Sequence, residues 1–169
     1  AMDINHAVPF SRPARVWAGS YEDCAGAALT VITAGANQAR GETRMDLAEK
    51  NAAIMREIVP QVAKNNPQGL LLVSSNPVDV LTYGAWKLSG LHPRSVLGSG
   101  TILDTARFRY LLSRYFHVDS RSVHAYIAGE HGDSEVPLWS LANIAGMKLA
   151  IIALPMDSVV WMTICGASS

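Results

Sequence analysis

The chain has 169 residues with equal counts of basic and acidic side chains, 14 each, so its formal net charge is zero and no basic excess marks a nucleic-acid or anionic-membrane partner. Apolar residues make up 49% and charged residues 17%, which excludes the charge-rich signature of disorder and leaves enough apolar side chains for a real core. Two cysteines, Cys24 and Cys165, are too few for a secreted disulfide scaffold, and the most apolar stretch, 144–167, is interrupted by Lys148, Pro155 and Asp157. With no basic segment and apolar run at the amino terminus, the expectation is a cytoplasmic protein without a membrane span.

In chain order, Arg15 to Ala18 is a short strand candidate, and Ala27 to Ala34 is a β-branched run of the kind found in buried parallel strands. A helical pattern follows from Thr43 to about Lys64, with Leu47, Ile54, Ile58 and Val62 on one face. Asn66-Pro67 breaks it, Gly69 to Ser74 reads as a second buried strand, and Asn76-Pro77 stops that. Val78 to Leu88 is helical again, Ser95 to Leu97 a short strand, and Ile102 to Phe116 a third helix, for which Thr101 and Asp104 suggest a capping box. Val123 to Ala128 reads as a strand and Ser134 to Ala145 as a helix, while the tail after about 148 has neither period nor caps. Alternating strands and helices imply βαβ units around a parallel sheet, an α/β fold. In such sheets ligands bind beyond the carboxyl ends of the strands, and here those ends carry Gly35-Ala36-Asn37-Gln38, Ser75-Asn76-Pro77 and Gly98-Ser99-Gly100-Thr101.

Several tempting signals are weak. Gly98-Ser99-Gly100 is only half of a dinucleotide glycine fingerprint, since the third glycine is missing. His117, His124 and His131 lie seven apart, but Asp119, Val123 and Gly129 argue against the continuous helix that would align them as metal ligands, so no metal is expected. The chain has no CxxC, HExxH, Walker-type or GxSxG motif. What remains is charge in apolar surroundings. His131 stands between glycines just after a strand, where it is either a turn residue or a ring projecting into a cleft. Asp104 and Arg107 are neighbours on one helical face, which by itself is a local ion pair. Arg44 opens the first long helix after the Gly35 to Gly41 stretch, read as a mobile loop, and by itself is a solvated loop arginine.

Together these residues fall within four strings, AGANQARGETR (34–44), SSNPVDVLTY (74–83), GSGTILDTARFR (98–109) and HAYIAGEHGDSEVPLWS (124–140). In this order they resemble the NAD-dependent L-lactate/L-malate dehydrogenase family, the lactate branch most closely. The resemblance implies a partial Rossmann-type dinucleotide-binding domain over 1–98 and the start of the family's α+β substrate domain over 99–169. It implies His131 as general acid/base, Asp104 as the acceptor that fixes its tautomer, Arg107 as the clamp on the substrate carboxylate, and Arg44 as the loop arginine that polarises the carbonyl. By the same resemblance, Asn76 is expected to hydrogen-bond at the reacting oxygen, Ser99 to lie near the nicotinamide, and Gly35, Ala36 and Asn76 to contact NAD. Six residues before the loop arginine, Gln38 stands where malate enzymes carry arginine, so pyruvate and L-lactate are the expected substrates and malate-type chemistry an alternative. Arg109 and His124 match positions at which bacterial relatives bind the activator fructose 1,6-bisphosphate at a subunit interface, and the family assembles as homo-oligomers, tetramers among them.

The sequence departs from the family at both ends. The family's first strand, its GxGxxG turn and its second strand do not precede Ala1, and the tail after about 148 is unmatched. The expectation is a fragment, with little turnover on its own. A non-catalytic α/β remnant acting as an interaction module is the alternative at this point.

Overall fold

The structure is a computed structural model that describes residues 1–149 apart from Ala7, Ser11 and Gln38, with the backbone alone at Phe10 and Arg44. The tail beyond 149, left without structure in the sequence reading, lies outside the described residues. Along the chain run α1 (Met2–Asn5), β1 (Leu29–Ile32), α2 (Arg44–Asn65), β2 (Leu70–Val73), α3 (Val78–Ser89), β3 (Val96–Gly98), α4 (Ile102–Phe116), β4 (Val123–His124), β5 (Ile127–Ala128), β6 (Val136–Pro137), β7 (Asn143–Ile144) and β8 (Met147–Lys148). They form two compact units, Ala1–Val73 with Leu81–Leu97, and Ser74–Val80 with Gly98 onward.

The first unit is built on a three-stranded sheet in the order β1-β2-β3, with β1 and β2 parallel and Leu29 opposite Leu70. Its core joins Ile32, Leu71, Val73 and Val96 of the strands to Met55, Val59 and Val62 of α2 and to Leu81 and Ala85 of α3. Each such side chain taken fully from water is worth about 1.5–3 kcal/mol. Helix α2 begins where Thr43 and Asp46 cap each other: the Thr43 hydroxyl accepts from the Asp46 N–H at 3.2 Å and the Asp46 carboxylate accepts from the Thr43 N–H at 2.9 Å. Those bonds hold the Asp46 carboxyl below its ordinary range. At the other end, buried Asn66 donates to the Ala27 carbonyl at 2.8 Å. That close approach needs glycine at 69, where a Cβ would meet Asn66 Nδ2 at 2.1 Å.

Two expectations in this unit change. Arg15 to Ala18 pairs with no strand among the described residues, and Trp17 is exposed. The core face of α2 is also turned by about one residue: Asn51, Met55, Val59 and Val62 are buried while Leu47, Ile54 and Ile58 are half-buried. A side-chain stripe read from hydrophobicity alone overlooked Met55 and the buried amide of Asn51.

The second unit packs α4 against short antiparallel pairs, β4-β7-β8 and β5-β6. Phe108 and Leu112 of α4 meet Val123, Ala125, Ile127, Ala142, Ile144 and Leu149, and Trp139 closes on Phe108 edge-to-face with ring centroids 4.9 Å apart. The single strand expected over Val123 to Ala128 is in fact two, β4 and β5, which pair with different partners. The helix expected over Ser134 to Ala145 does not form. Pro137 lacks the N–H a helix needs, and the segment becomes β6, a single 3-10 turn at Trp139–Leu141, and β7. The capping box expected at Thr101 and Asp104 is also absent: Thr101 makes no side-chain cap. Its hydroxyl instead donates to the Ile127 carbonyl at 2.6 Å, and Asp104 is taken by other partners.

Candidate active site

Residues 104, 108 and 112 share one stripe of α4, spaced four apart, and all are buried. The helix thereby places a carboxylate on its apolar face, and burial of that kind is tolerated only with partners. Asp104 has them. Its Oδ2 lies 2.6 Å from His131 Nδ1 and its Oδ1 accepts from Arg107 at 3.3 Å. With Asp104 as a carboxylate, the imidazole donates from Nδ1, which leaves Nε2 to exchange a proton elsewhere. Arg107, one turn along, keeps most of its guanidinium in solvent, its side chain being 64% exposed.

The histidine is fixed from its backbone as well. Asp79, at the start of α3, accepts the His131 N–H at 2.9 Å, and Gly129 enters the 129–135 loop at φ 101, with a virtual Cβ 3.3 Å from the Ser134 carbonyl. Few residues besides glycine tolerate that conformation. In the same loop Glu135 brings its carboxyl to the couple, so that ligand atoms of Asp104, His131 and Glu135 lie within 4.8 Å of one another. Burial first, and then the negative charge of Asp104, push the Glu135 carboxyl above its ordinary value, opposed by the pull of His131 and Arg107. Asp79 and Glu135 were not foreseen in the sequence. Asp79 is 52 residues from its partner, and no spacing rule singles out Glu135.

The structure therefore brings Asp104, Arg107 and His131 together. Asn76, exposed and joined to Pro77 by a cis peptide, and Ser99, half-buried, belong to the same compact unit. Gly35, Ala36 and the backbone of Arg44 belong to the first unit, and Gln38 lies outside the described residues. The Ala36 N–H donates to the buried Asn51 amide oxygen at 2.7 Å, a link from the end of β1 to α2 with no advance signal in the sequence. Arg109 donates from Nε to the Ala125 carbonyl at 2.8 Å and lies 4.8 Å over the Tyr126 ring. It lines a hollow of about 710 Å³ with Thr101, Thr105, Tyr110, Arg121 and Tyr126. His124 is exposed on β4. His117 sits at the end of α4 and His124 on β4, so the seven-residue spacing of His117, His124 and His131 lines up no common face.

Comparison with known proteins follows the same outline. A family model described as lactate/malate dehydrogenase, NAD binding domain, matches residues 1–98, and one described as lactate/malate dehydrogenase, alpha/beta C-terminal domain, matches residues 101–159. The chain is 62% identical to an L-lactate dehydrogenase of Priestia megaterium over 149 residues, which is 88% of this chain and 47% of the relative. It is 56% identical to one of Moorella thermoacetica over the same shares. Among solved structures, a lactate dehydrogenase from a Medee basin deep-sea metagenome superposes with a TM-score of 0.89 at 50% identity, over 99% of this chain and 56% of that one. The ligand-bound minor L-lactate dehydrogenase of Enterococcus mundtii gives 0.89 at 42% identity, over 98% and 54%. The chain spans about half the length of these relatives. With both units matched in sequence and in fold, the chain belongs to the lactate/malate dehydrogenase family.

Proposed function

We propose that this chain carries the catalytic residues of an NAD-dependent L-lactate dehydrogenase, which reduces pyruvate to L-lactate. The observation that supports it is the 2.6 Å Asp104–His131 contact with Arg107 one turn along the same helix. The residues at the strand ends fit a dinucleotide: Gly35 and Ala36 are exposed with nothing larger than a methyl group, the Asn76 side chain is exposed, and Ser99 offers a hydroxyl. When bound, NADH supplies the hydride.

This chain's residues supply the rest. Asp104 holds the Nδ1 proton of His131 and favours the imidazolium, so that Nε2 delivers a proton to the substrate oxygen. Arg107 takes the substrate carboxylate with its planar fork, which lysine matches poorly. Arg44 stabilises charge developing on the carbonyl oxygen, and Asn76 donates to the same oxygen. Gln38 is neutral where a second substrate carboxylate needs a cation, which favours pyruvate over oxaloacetate. The names of the relatives agree with the lactate reading over a malate-type enzyme or a non-catalytic module. In the same proposal residues 1–98 form the dinucleotide part and 99–169 the beginning of the substrate part, in a cytoplasmic homo-oligomer of pyruvate fermentation and glycolysis. Arg109 and His124 form an allosteric fructose 1,6-bisphosphate site, a reading supported by the hollow that Arg109 lines.

The test is a chimera in which residues 1–149 replace the matched segment of the Priestia megaterium enzyme. NADH oxidation that depends on pyruvate, lost in His131→Asn, is the expected result. An inactive chimera that is folded and binds NADH would falsify the assignment. In the active chimera, fructose 1,6-bisphosphate lowers the pyruvate KM, and Arg109→Gln abolishes that effect.

A further inference from the structure

Asp104 and His131 do not form an isolated couple. Glu135 stands four residues after the histidine in the same loop, half-buried, with its carboxyl inside the 4.8 Å cluster. The other charged groups around the couple are known. Arg107 of α4 is bonded to Asp104, Asp79 of α3 is bonded to the His131 backbone, Glu130 is engaged by the Ser134 hydroxyl at 2.8 Å, and Asp133 lies in the loop. Of these carboxylates, Glu135 alone joins Asp104 and His131 in the cluster that the described residues form.

We propose that Glu135 is a positioning residue of the Asp104–His131 couple, its carboxyl set against the Asp104 carboxylate so that, once ionised, it adds a second negative charge favouring the imidazolium form of His131. Protonated, Glu135 donates a hydrogen bond to Asp104. Ionised, it repels Asp104 and attracts His131 and Arg107, the same interactions that act on its own titration. Such coupling is reciprocal: whatever charge on His131 does to Glu135, charge on Glu135 does to His131. Its acidity is thus set by burial first and by the carboxylate pair second. The catalytic meaning rests on the proposed dehydrogenase function, whereas the coupling is read from proton occupancy alone, so failure of one is distinguishable from failure of the other.

The experiment follows the imidazole and carboxyl carbons of the 169-residue chain by NMR across a pH titration. In the parent the Glu135 carboxyl titrates above the ordinary glutamate range and shows a second inflection where His131 changes charge. Glu135→Gln keeps the shape and a hydrogen-bond donor but removes the charge, and it lowers the pH at which the His131 ring changes by about half a unit, as expected for a unit charge about 5 Å away under water-like screening. Glu130→Gln removes a charge next to His131 in sequence and shifts that pH by less than half as much. An ordinary single-step Glu135 titration, an unmoved His131 in Glu135→Gln, or an equal shift in Glu130→Gln overturns the proposal. The first of these readouts needs no variant.

Discussion

Thr101 and Ile127 are joined by a 2.6 Å bond from the threonine hydroxyl to the isoleucine carbonyl, and one turn along α4 Thr105 accepts the N–H of the same isoleucine at 3.0 Å. Both backbone polar groups of Ile127 are thereby satisfied by side chains of one helix, which ties β5 to α4 immediately before the loop that carries His131. Thr101→Val and Thr105→Val each remove about 1 kcal/mol of stability, measured by urea unfolding. Thr101→Asp distinguishes this role from helix capping. Aspartate is a good cap but has no proton to give Ile127, so the variant is less stable than the parent. A gain in stability would restore the capping role.

Phe108 is fully buried and its ring stands edge-to-face on Trp139 at an interplanar angle of 89°. Phe108→Ala lowers stability by about 3–5 kcal/mol, through lost transfer energy and the cavity left behind. Phe108→Leu costs clearly less. A loss below about 1 kcal/mol for the alanine variant, read by thermal or chemical unfolding, contradicts this packing.

The Arg121 guanidinium and backbone N–H hold the Asp119 carboxyl down at about 2, from an ordinary 3.8. A carboxyl depressed by folding contributes stability that is fully present above its unfolded value and is lost as pH falls through the folded one. The window is therefore from about pH 4 to about pH 2. Asp119 is exposed, so the effect is small. Unfolding midpoints measured across this window fall more steeply in the parent than in Asp119→Asn. Parallel curves would remove the pair from the acid response.

Glu135 has the opposite sign. Its folded value is raised, so ionising it opposes folding, and stability is lost as pH rises from the ordinary glutamate value through the raised one. At neutral pH Glu135→Gln is at least as stable as the parent, and below the window the two converge. A variant with lower stability at neutral pH would mean that Glu135 supports the fold by packing or hydrogen bonding instead.

In the active chimera, Gln38→Arg supplies a cation for a second carboxylate. The kcat/KM ratio shifts toward oxaloacetate by about tenfold or more. An unchanged ratio for oxaloacetate and pyruvate assigns substrate choice to another residue.

The long helices α2, α3 and α4 and the strands β1 to β3 were legible in the sequence because they are governed by local period and caps. Thr43 to Lys64 predicted α2, observed over Arg44–Asn65, and Ile102 to Phe116 predicted α4 to the residue. What failed depended on distant partners. The Arg15 to Ala18 run has strand character but no strand beside it among the described residues, and the Ser134 to Ala145 run has helical character that Pro137 and the pairing of β5 with β6 override. Thr101 and Asp104 fit a local capping pattern, yet each is claimed by residues more than 20 positions away. Asp104 and Arg107 were recognisable from their helical spacing, whereas the contact of Asp104 with His131 followed only from the family pattern. Glu135 and Asp79 carry no such mark.

The stretch that leads from β1 to α2 is fastened at both ends to the same helix. Ala36 hangs from the buried Asn51 amide, Thr43 is locked to Asp46, and Glu42 pairs with Lys50 of that helix. The distance between its anchor points is thus set by a single rigid rod. Under the proposed function, substitutions in the exposed part of this stretch alter what is bound without drawing on the buried packing that keeps the first unit folded.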